Sequence, residues 1–243
     1  ELVHNYVHPE TGELITKERL EIKGLGKAKY ILKPGGTLGD LYTNSDLVYN
    51  DDGYIEVDKN GNVAVKDDYM DDIYLGSVFP KYNLAWRNDF NYKGINLGVL
   101  FTARIGGICY SATQANMDLY GVSEASAAAR DAGGVMINGR DMIDAQKWYQ
   151  VIGSQSGLPQ YYTYSATNVR LQELSLGYTL PSKWFRDKMR MTVSFVGRNL
   201  WMIYCKAPFD PEAVASTGMN YQGIDYFMMP SMRNLGFNVK FQF

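Results

Sequence analysis

The chain has 243 residues, 24 Lys plus Arg against 26 Asp plus Glu, and a formal charge of −2. Without a basic block or a basic stripe interleaved with aromatics it lacks the electrostatic footprint of a nucleic-acid binder. No run approaches the ~20 apolar residues of a spanning helix, so any membrane reading has to be a β-barrel, since only helices and closed barrels satisfy every backbone group in hydrocarbon.

The chain opens Glu1-Leu-Val-His4 without a charged n-region or an apolar h-region, which reads as an internal cut, with any signal peptide absent or removed. His4 and His8, the only histidines, have the i, i+4 spacing of metal ligands on a helix, but Pro9 and Gly12 follow closely and Asn5 stands where a zincin has its glutamate. A loop position is expected there. A Ser-His-Asp triad would have to use this tail, so that class of enzyme is rejected. Strands are expected near residues 19 to 32 and 38 to 49. Tyr54-Ile-Glu-Val57 and Asn62-Val-Ala-Val65 flank the turn Asp58-Lys-Asn-Gly61 as a hairpin. That turn resembles a calcium loop, but its glycine falls at the fourth position and Tyr69 stands where a closing glutamate belongs, so a solvated turn is preferred. Asp67-Asp-Tyr-Met-Asp-Asp72 reads as an acidic solvated loop. No metal or cofactor site is expected.

From residue 82 the pattern changes to period two. Leu84, Trp86, Phe90 and Tyr92 share one face, with Asn88 the exception, and Arg87, Asp89 and Asn91 the other. Lys93-Gly94 permits a tight hairpin. On the return strand Ile95, Leu97, Val99, Phe101, Ala103 and Ile105 oppose Asn96, Gly98, Thr102 and Arg104, with Leu100 misplaced. A long segment, 106 to 168, follows. Within it residues 112 to 119, 124 to 131 (with Ser123 as N-cap) and 141 to 151 read as short helices. A third strand sets Leu174, Leu176, Tyr178 and Leu180 against Glu173, Ser175, Gly177 and Thr179, and Pro181 ends it. In the fourth, Met189, Met191, Val193 and Phe195 oppose Arg190, Thr192, Ser194 and Arg198, and Trp201 and Tyr204 mark an aromatic belt at its far end. A second long segment, 205 to 231, leads to the last strand. There Leu235, Phe237, Val239, Phe241 and Phe243 alternate with polar residues.

Alternation alone fits both a lipid-facing strand and a half-buried strand of a soluble sandwich. The connections tilt the balance, since short turns fall at one end of the strands and long loops at the other, as in outer-membrane barrels. Nineteen tyrosines, four tryptophans and 24 glycines, with slightly negative mean hydropathy, suit strands, turns and aromatic girdles. The expected fold is all-β: part of a large antiparallel transmembrane barrel, with five secure strands among seven or eight in all and long extracellular loops containing short helices. The polar face, Arg87, Asp89, Asn91, Arg104, Glu173, Arg190, Arg198 and Lys240, would line the lumen. Asp210-Pro-Glu212 is a turn in preference to a glycosidase carboxylate pair. Cys109 and Cys205, too few for a disulfide scaffold, are expected as free thiols. The loop aromatics Trp148, Tyr149, Tyr161, Tyr162 and Tyr221 are candidates for stacking on sugar rings or peptide side chains, or for packing the loops together.

The segment Thr167-Asn-Val-Arg-Leu-Gln-Glu-Leu-Ser-Leu-Gly-Tyr-Thr-Leu-Pro181 resembles the S-x-x-R-L-x-x-L-x-L-G-Y-x-L-P run of SusC/RagA-type TonB-dependent outer-membrane transporters. Gly197-Arg-Asn-Leu200 resembles that family's G-x-N-L strand, Asp210-Pro-Glu212 its D-P-E loop, and Pro230 to Arg233 its approach to the last strand. Leu75 to Pro80 with Tyr92-Lys93, Tyr120-Gly-Val-Ser123 through Asp131, and Gly39-Asp-Leu-Tyr42 are similar to stretches upstream, in the family's order. Departures are Thr167 for serine, Cys205, and a glycine missing from Asn83-Leu-Ala-Trp86.

The resemblance implies that residues 1 to 243 are the C-terminal part of a plugged barrel of roughly 22 strands, the plug and earlier strands lying outside this chain. It implies a multi-pass protein of the cell outer membrane that performs no bond chemistry. Its partners would be the rest of the barrel and plug, a SusD-like surface lipoprotein as lid, TonB as energy source, outer-membrane lipid, and an oligosaccharide or peptide substrate. Alternatives are a passive porin or adhesin-like barrel and a soluble all-β glycan-binding module.

Overall fold

Alternating side chains and turn residues produce the elements expected from residue 82 onward. A computed structural model describes residues 4–7, 11–68, 71–213, 215, 218 and 221–243. Five strands form one antiparallel sheet: β1 (Tyr82–Tyr92), β2 (Ile95–Ile105), β3 (Asn168–Thr179), β4 (Arg190–Cys205) and β5 (Asn234–Gln242). Their order in the sheet follows the chain, so each strand pairs with its neighbour in sequence and β1 and β5 are the edges. The two-residue turn at Lys93-Gly94 has φ of 49° and 88°, the doubly left-handed geometry of a type I′ hairpin, whose twist matches the strands it joins. A short 3-10 helix, Ser182–Phe185, makes the second short connection. Both lie at the same end of the sheet.

Register makes the two faces continuous. Phe90, Leu97, Leu176, Phe195 and Phe237 form one row across all five strands, and Tyr92, Ile95, Tyr178, Val193 and Val239 form the next. Farther from the hairpin, Trp86, Phe101, Leu171 and Trp201 form a third, after register shifts at Leu100/Phe101 and at Leu171/Glu173 keep the alternation in phase. Asn199, at φ 52°, is the left-handed residue of the β4 irregularity.

This sheet lies in a compact unit of residues Pro80–Gly107, Ser165–Ala213 and Met229–Phe243, and a second compact unit comprises Glu1–Phe79, Ile108–Tyr164 and Val214–Met228. That second unit contains a four-stranded sheet in the order Leu20–Leu25, Ala28–Leu32, Asp40–Thr43, Ile73–Ser77, together with smaller ladders. Its core joins three separated segments through Tyr30, Leu41, Tyr110, Trp148, Leu158 and Ile224. The strands expected in the N-terminal third exist, but they pair among themselves as short ladders and add nothing to the long sheet, which has five strands and not seven or eight. The run 38 to 49 is split at Asn44 into two strands belonging to different sheets.

The helices α1 (Ala112–Leu119) and α2 (Glu124–Asp131) fall where expected, and the Ser123 hydroxyl caps α2 by accepting from the Ser126 N–H. The third helix begins later than expected: Asp141–Ile143 is a strand paired with Val135–Ile137, and α3 is Ala145–Ile152, capped by Asp144. His4 lies in a short strand paired with Leu14–Lys17 and not in a loop, and His8 lies outside the described residues.

Candidate functional site

The long sheet has two chemically different faces. On the apolar one, Trp86 is 62% exposed, Leu176 54%, Trp201 62% and Phe237 82%. Monomeric soluble proteins rarely expose contiguous apolar surface beyond a few hundred Å², and here it runs in register across five strands of 9 to 16 residues. A tilted strand needs about 9 to 11 residues to cross a bilayer. Trp86 stacks on Phe101 at 5.7 Å, and Phe195 meets Phe237 edge-on at 5.5 Å, so adjacent strands are tied through this face as well as through the ladder.

On the polar face, Arg87 donates to Asp89 at 2.9 Å, Arg198 donates to Glu173 at 2.9 Å, and Arg87 lies 3.7 Å from Glu173. Asn96 donates to Thr179, which contacts Thr192 at 3.0 Å. Gly98 makes room for this network, since a Cβ there would lie 2.5 Å from Ser175 Oγ and 2.9 Å from Asp89 Oδ1. Arg87, Asp89 and Arg198 are exposed, so solvent screens these pairs and each contributes little to stability. Their effect is to keep this face wet.

Four of the sequence motifs converge at one buried arginine. The Arg170 guanidinium donates to Asp210 Oδ1 at 2.9 Å, to Asn168 Oδ1 at 3.2 Å and to Asn199 Oδ1 at 3.3 Å, and it lies 3.4 Å from Glu212. The Ser231 hydroxyl donates to Asp210 and accepts from Asn199. Burial pushes the Asp210 carboxyl up, but hydrogen bonds from Arg170 and Ser231 outweigh it and hold the pKa below the usual carboxylate value. Asp210 and Glu212 therefore anchor the loop after β4 to β3, and neither is arranged as a catalytic pair.

In the other unit the five candidate aromatics divide by burial. Trp148 is 7% exposed and Tyr162 2%, so both are core. The Tyr162 hydroxyl donates to Asp118 Oδ2 at 2.9 Å, and burial together with the Asp118 charge pushes its phenol well above the ordinary value. Tyr149 is half-buried against the same core. Tyr161, 39% exposed, meets Trp148 edge-on at 5.9 Å, and its phenol is pushed up to about 12, chiefly by burial. Tyr221, 41% exposed, belongs to another segment. Tyr161 and Tyr221 are thus the two of the five most accessible to a ligand.

The acidic run is not wholly solvated: the Asp72 side chain is buried, which pushes its carboxyl up, but ion pairs with Arg19 and, at 2.7 Å, with Lys33 outweigh this and hold it below the usual range. Tyr69 and Met70 lie outside the described residues. The Asp58 turn closes on itself, Asp58 Oδ1 accepting from the Asn60 and Asn62 N–H groups at 2.8 Å each, which satisfies the carboxylate without an ion. Among the described residues no cluster of His, Cys, Asp and Glu has the arrangement of a metal site. Cys109 and Cys205 are free thiols.

A groove of about 700 Å³ that sequence reading did not single out lies between residues 50–64 and the turn 138–141. Asn138, at φ 55°, accepts from the Ile55 N–H and donates to the Ile55 carbonyl, both at 2.9 Å. The Arg140 guanidinium lies over the Tyr54 ring at 4.7 Å. The available signal was the Asn138-Gly139 dipeptide, a strong turn former between short apolar runs.

No protein-family model matches the chain. In sequence it is similar to the TonB-dependent receptor P3 of Formosa agariphila, 25% identical over 198 residues, which covers 77% of this chain and 19% of that protein. Among solved structures it is similar to the RagAB peptide importer in its open-open state, with TM-score 0.48, 17% identity, and 98% of this chain and 24% of that chain covered. The closed-closed state gives 0.47 and 16%, with the same coverage. The resemblance to TonB-dependent transporters read from the motifs is thus upheld by sequence similarity, and the chain spans 19% of that relative's length.

Proposed function

We propose that this chain is the C-terminal part of the barrel of an outer-membrane, TonB-dependent nutrient importer of the SusC/RagA type. The observation that carries the proposal is the five-stranded sheet with one exposed apolar face and one wet, ion-paired face, in a chain similar to a TonB-dependent receptor. The apolar rows meet lipid, with Trp86 and Trp201 near one boundary and Tyr92 and Tyr178 near the other, as interfacial aromatics do. The free edges of β1 and β5 pair with barrel strands from elsewhere in the full protein, since an open edge has no place in hydrocarbon.

In this reading the long loop region of residues 106–168 and 205–231 stands outside the cell and meets the substrate, with Tyr161 and Tyr221 as accessible rings. A SusD-like lipoprotein closes over it, a plug gates the lumen, and TonB supplies the energy for opening. The chain moves its substrate unchanged, so no general acid or nucleophile is assigned. The substrate is an oligosaccharide first and an oligopeptide second. Cells lacking the gene, or lacking TonB, should lose uptake of a fluorescently labelled oligosaccharide. Undiminished uptake in both strains, for sugars and peptides alike, would overturn the proposal.

A further inference from the structure

We infer that the groove between Tyr54 and Arg140 is a subsite for a neutral oligosaccharide, an inference that names a contact surface for the import reading above and rests on it. Its walls come from two segments distant in sequence, residues 50–64 and 138–141, and are locked before any ligand arrives. The Asn138 amide takes both backbone hydrogen bonds of Ile55, the Asp58 turn is closed by its own amides, and Lys147 donates to the Asn60 carbonyl. A groove that is already ordered loses little conformational entropy on binding.

The chemistry of the lining selects the ligand. Tyr54 is 40% exposed and offers an aromatic surface to the C–H face of a pyranose ring. The Arg140 side chain, 66% exposed, has planar N–H donors suited to adjacent hydroxyls, and Asn50, Asn62 and Glu56 offer further hydroxyl partners around the ring. Glu56 is exposed and has no ion-pair partner among the described residues.

Two other ligand classes fit less well. An extended peptide binds an edge by adding a strand, through free main-chain N–H and C=O groups. Here that edge is occupied: Ile55 is capped on both groups by Asn138, the Glu56 N–H is bonded to the Val48 carbonyl, and the Tyr54 carbonyl accepts from Asn50. An acidic glycan would meet the carboxylates of Glu56, Asp58 and Asp141 with one guanidinium, Arg140, in the lining to offset them. A neutral chain of sugars satisfies the groups that are present.

The test is calorimetric titration of the detergent-purified full protein with gluco-, xylo-, manno- and galacto-oligosaccharides, using oligogalacturonate and tetrapeptides as competitors of the other classes. The expected result is binding of at least one neutral series, weakened roughly tenfold or more by Tyr54→Ala and by Arg140→Ala, with Tyr54→Phe close to the parent. A tenfold loss corresponds to about 1.4 kcal/mol, the scale of one good contact. Thermal melts of the variants show that they fold, as the exposure of both side chains leads one to expect. Three results would overturn the inference: no neutral series binding at millimolar concentration, neutral binding indifferent to both alanine variants, or a peptide or acidic glycan as the ligand those variants weaken. Membrane fractionation of the same preparation is scored separately. A protein that extracts only with detergent but fails at the groove keeps the import reading and loses this one.

Discussion

Leu176 and Leu84 are the same residue type on the same face of the sheet, 54% and 55% exposed. They differ in depth. Leu176 lies in the row between Tyr178 and the Trp86/Trp201 row, whereas Leu84 pairs with Ala103, one row beyond Trp86. If the face meets water, Leu176→Arg and Leu84→Arg are both exposed surface changes and fall within about 0.5 kcal/mol of the parent. If it meets lipid, arginine costs about 2 to 4 kcal/mol inside the apolar band and about 0 to 1 kcal/mol near its boundary. The expected difference between the two variants is therefore about 2 kcal/mol. The comparison cancels most of what a single substitution confuses, including side-chain volume and lost apolar area. Urea unfolding of the full protein from lipid vesicles, followed by tryptophan fluorescence, measures it. Equal effects of the two arginines would refute the assignment of this face to lipid.

Removing the buried arginine with Arg170→Met should destabilise by about 3 to 5 kcal/mol, because it leaves the Asp210 carboxylate buried without its cation; the double variant Arg170→Met, Asp210→Asn should recover part of that loss in the same urea titration. Asp72 and Asp210 both have pKa values depressed in the folded state, so each adds stability that is fully present above the unfolded carboxylate value of about 3.9 and is lost as pH falls through the folded value. Melting temperatures should therefore fall with pH below about 4, and the fall should be shallower in Asp210→Asn. Gly94→Ala puts a Cβ at φ 88°, 2.9 Å from the Thr179 carbonyl oxygen, and should cost at least about 1 to 2 kcal/mol by thermal melt. Ser123→Ala removes the cap that accepts from the Ser126 N–H and should cost about 0.5 to 2 kcal/mol, with faster amide exchange confined to the first turn of α2.

The long sheet was legible because its information is local: period-two alternation and turn chemistry lie within a few residues of each other. Even Leu100, misplaced on the polar face, is a genuine exception, paired opposite Arg87 and Glu173. The register shifts that keep Trp201 in the apolar row were not legible, because β4 needs the left-handed Asn199 to rephase and asparagine alone does not announce it. The second unit was hidden for a different reason. Its core brings together Tyr30, Trp148 and Ile224, whose spacing in sequence has no period to detect.

The aromatics show the same limit. Trp148 and Tyr149 are adjacent, yet the 3.6-residue period of α3 turns one into the core and leaves the other half-buried at its side. Tyr161 and Tyr162 divide the same way, because the Tyr162 hydroxyl finds the buried Asp118. The four motifs that resemble those of SusC/RagA-type transporters looked like separate turns and strands in sequence. Their common physical basis, Arg170 with Asn199, Asp210 and Ser231 around it, becomes visible only when β3, β4 and the flanking loops are placed together.

Whether this chain is part of an outer-membrane importer is decided by fractionating the source cells and purifying the polypeptide that carries it. The polypeptide should stay with outer membranes until mild detergent is added, and mass spectrometry of the purified assembly should find upstream sequence with a plug and a SusD-type lipoprotein. Recovery of the chain from the soluble fraction without detergent, free of both, would contradict the import reading.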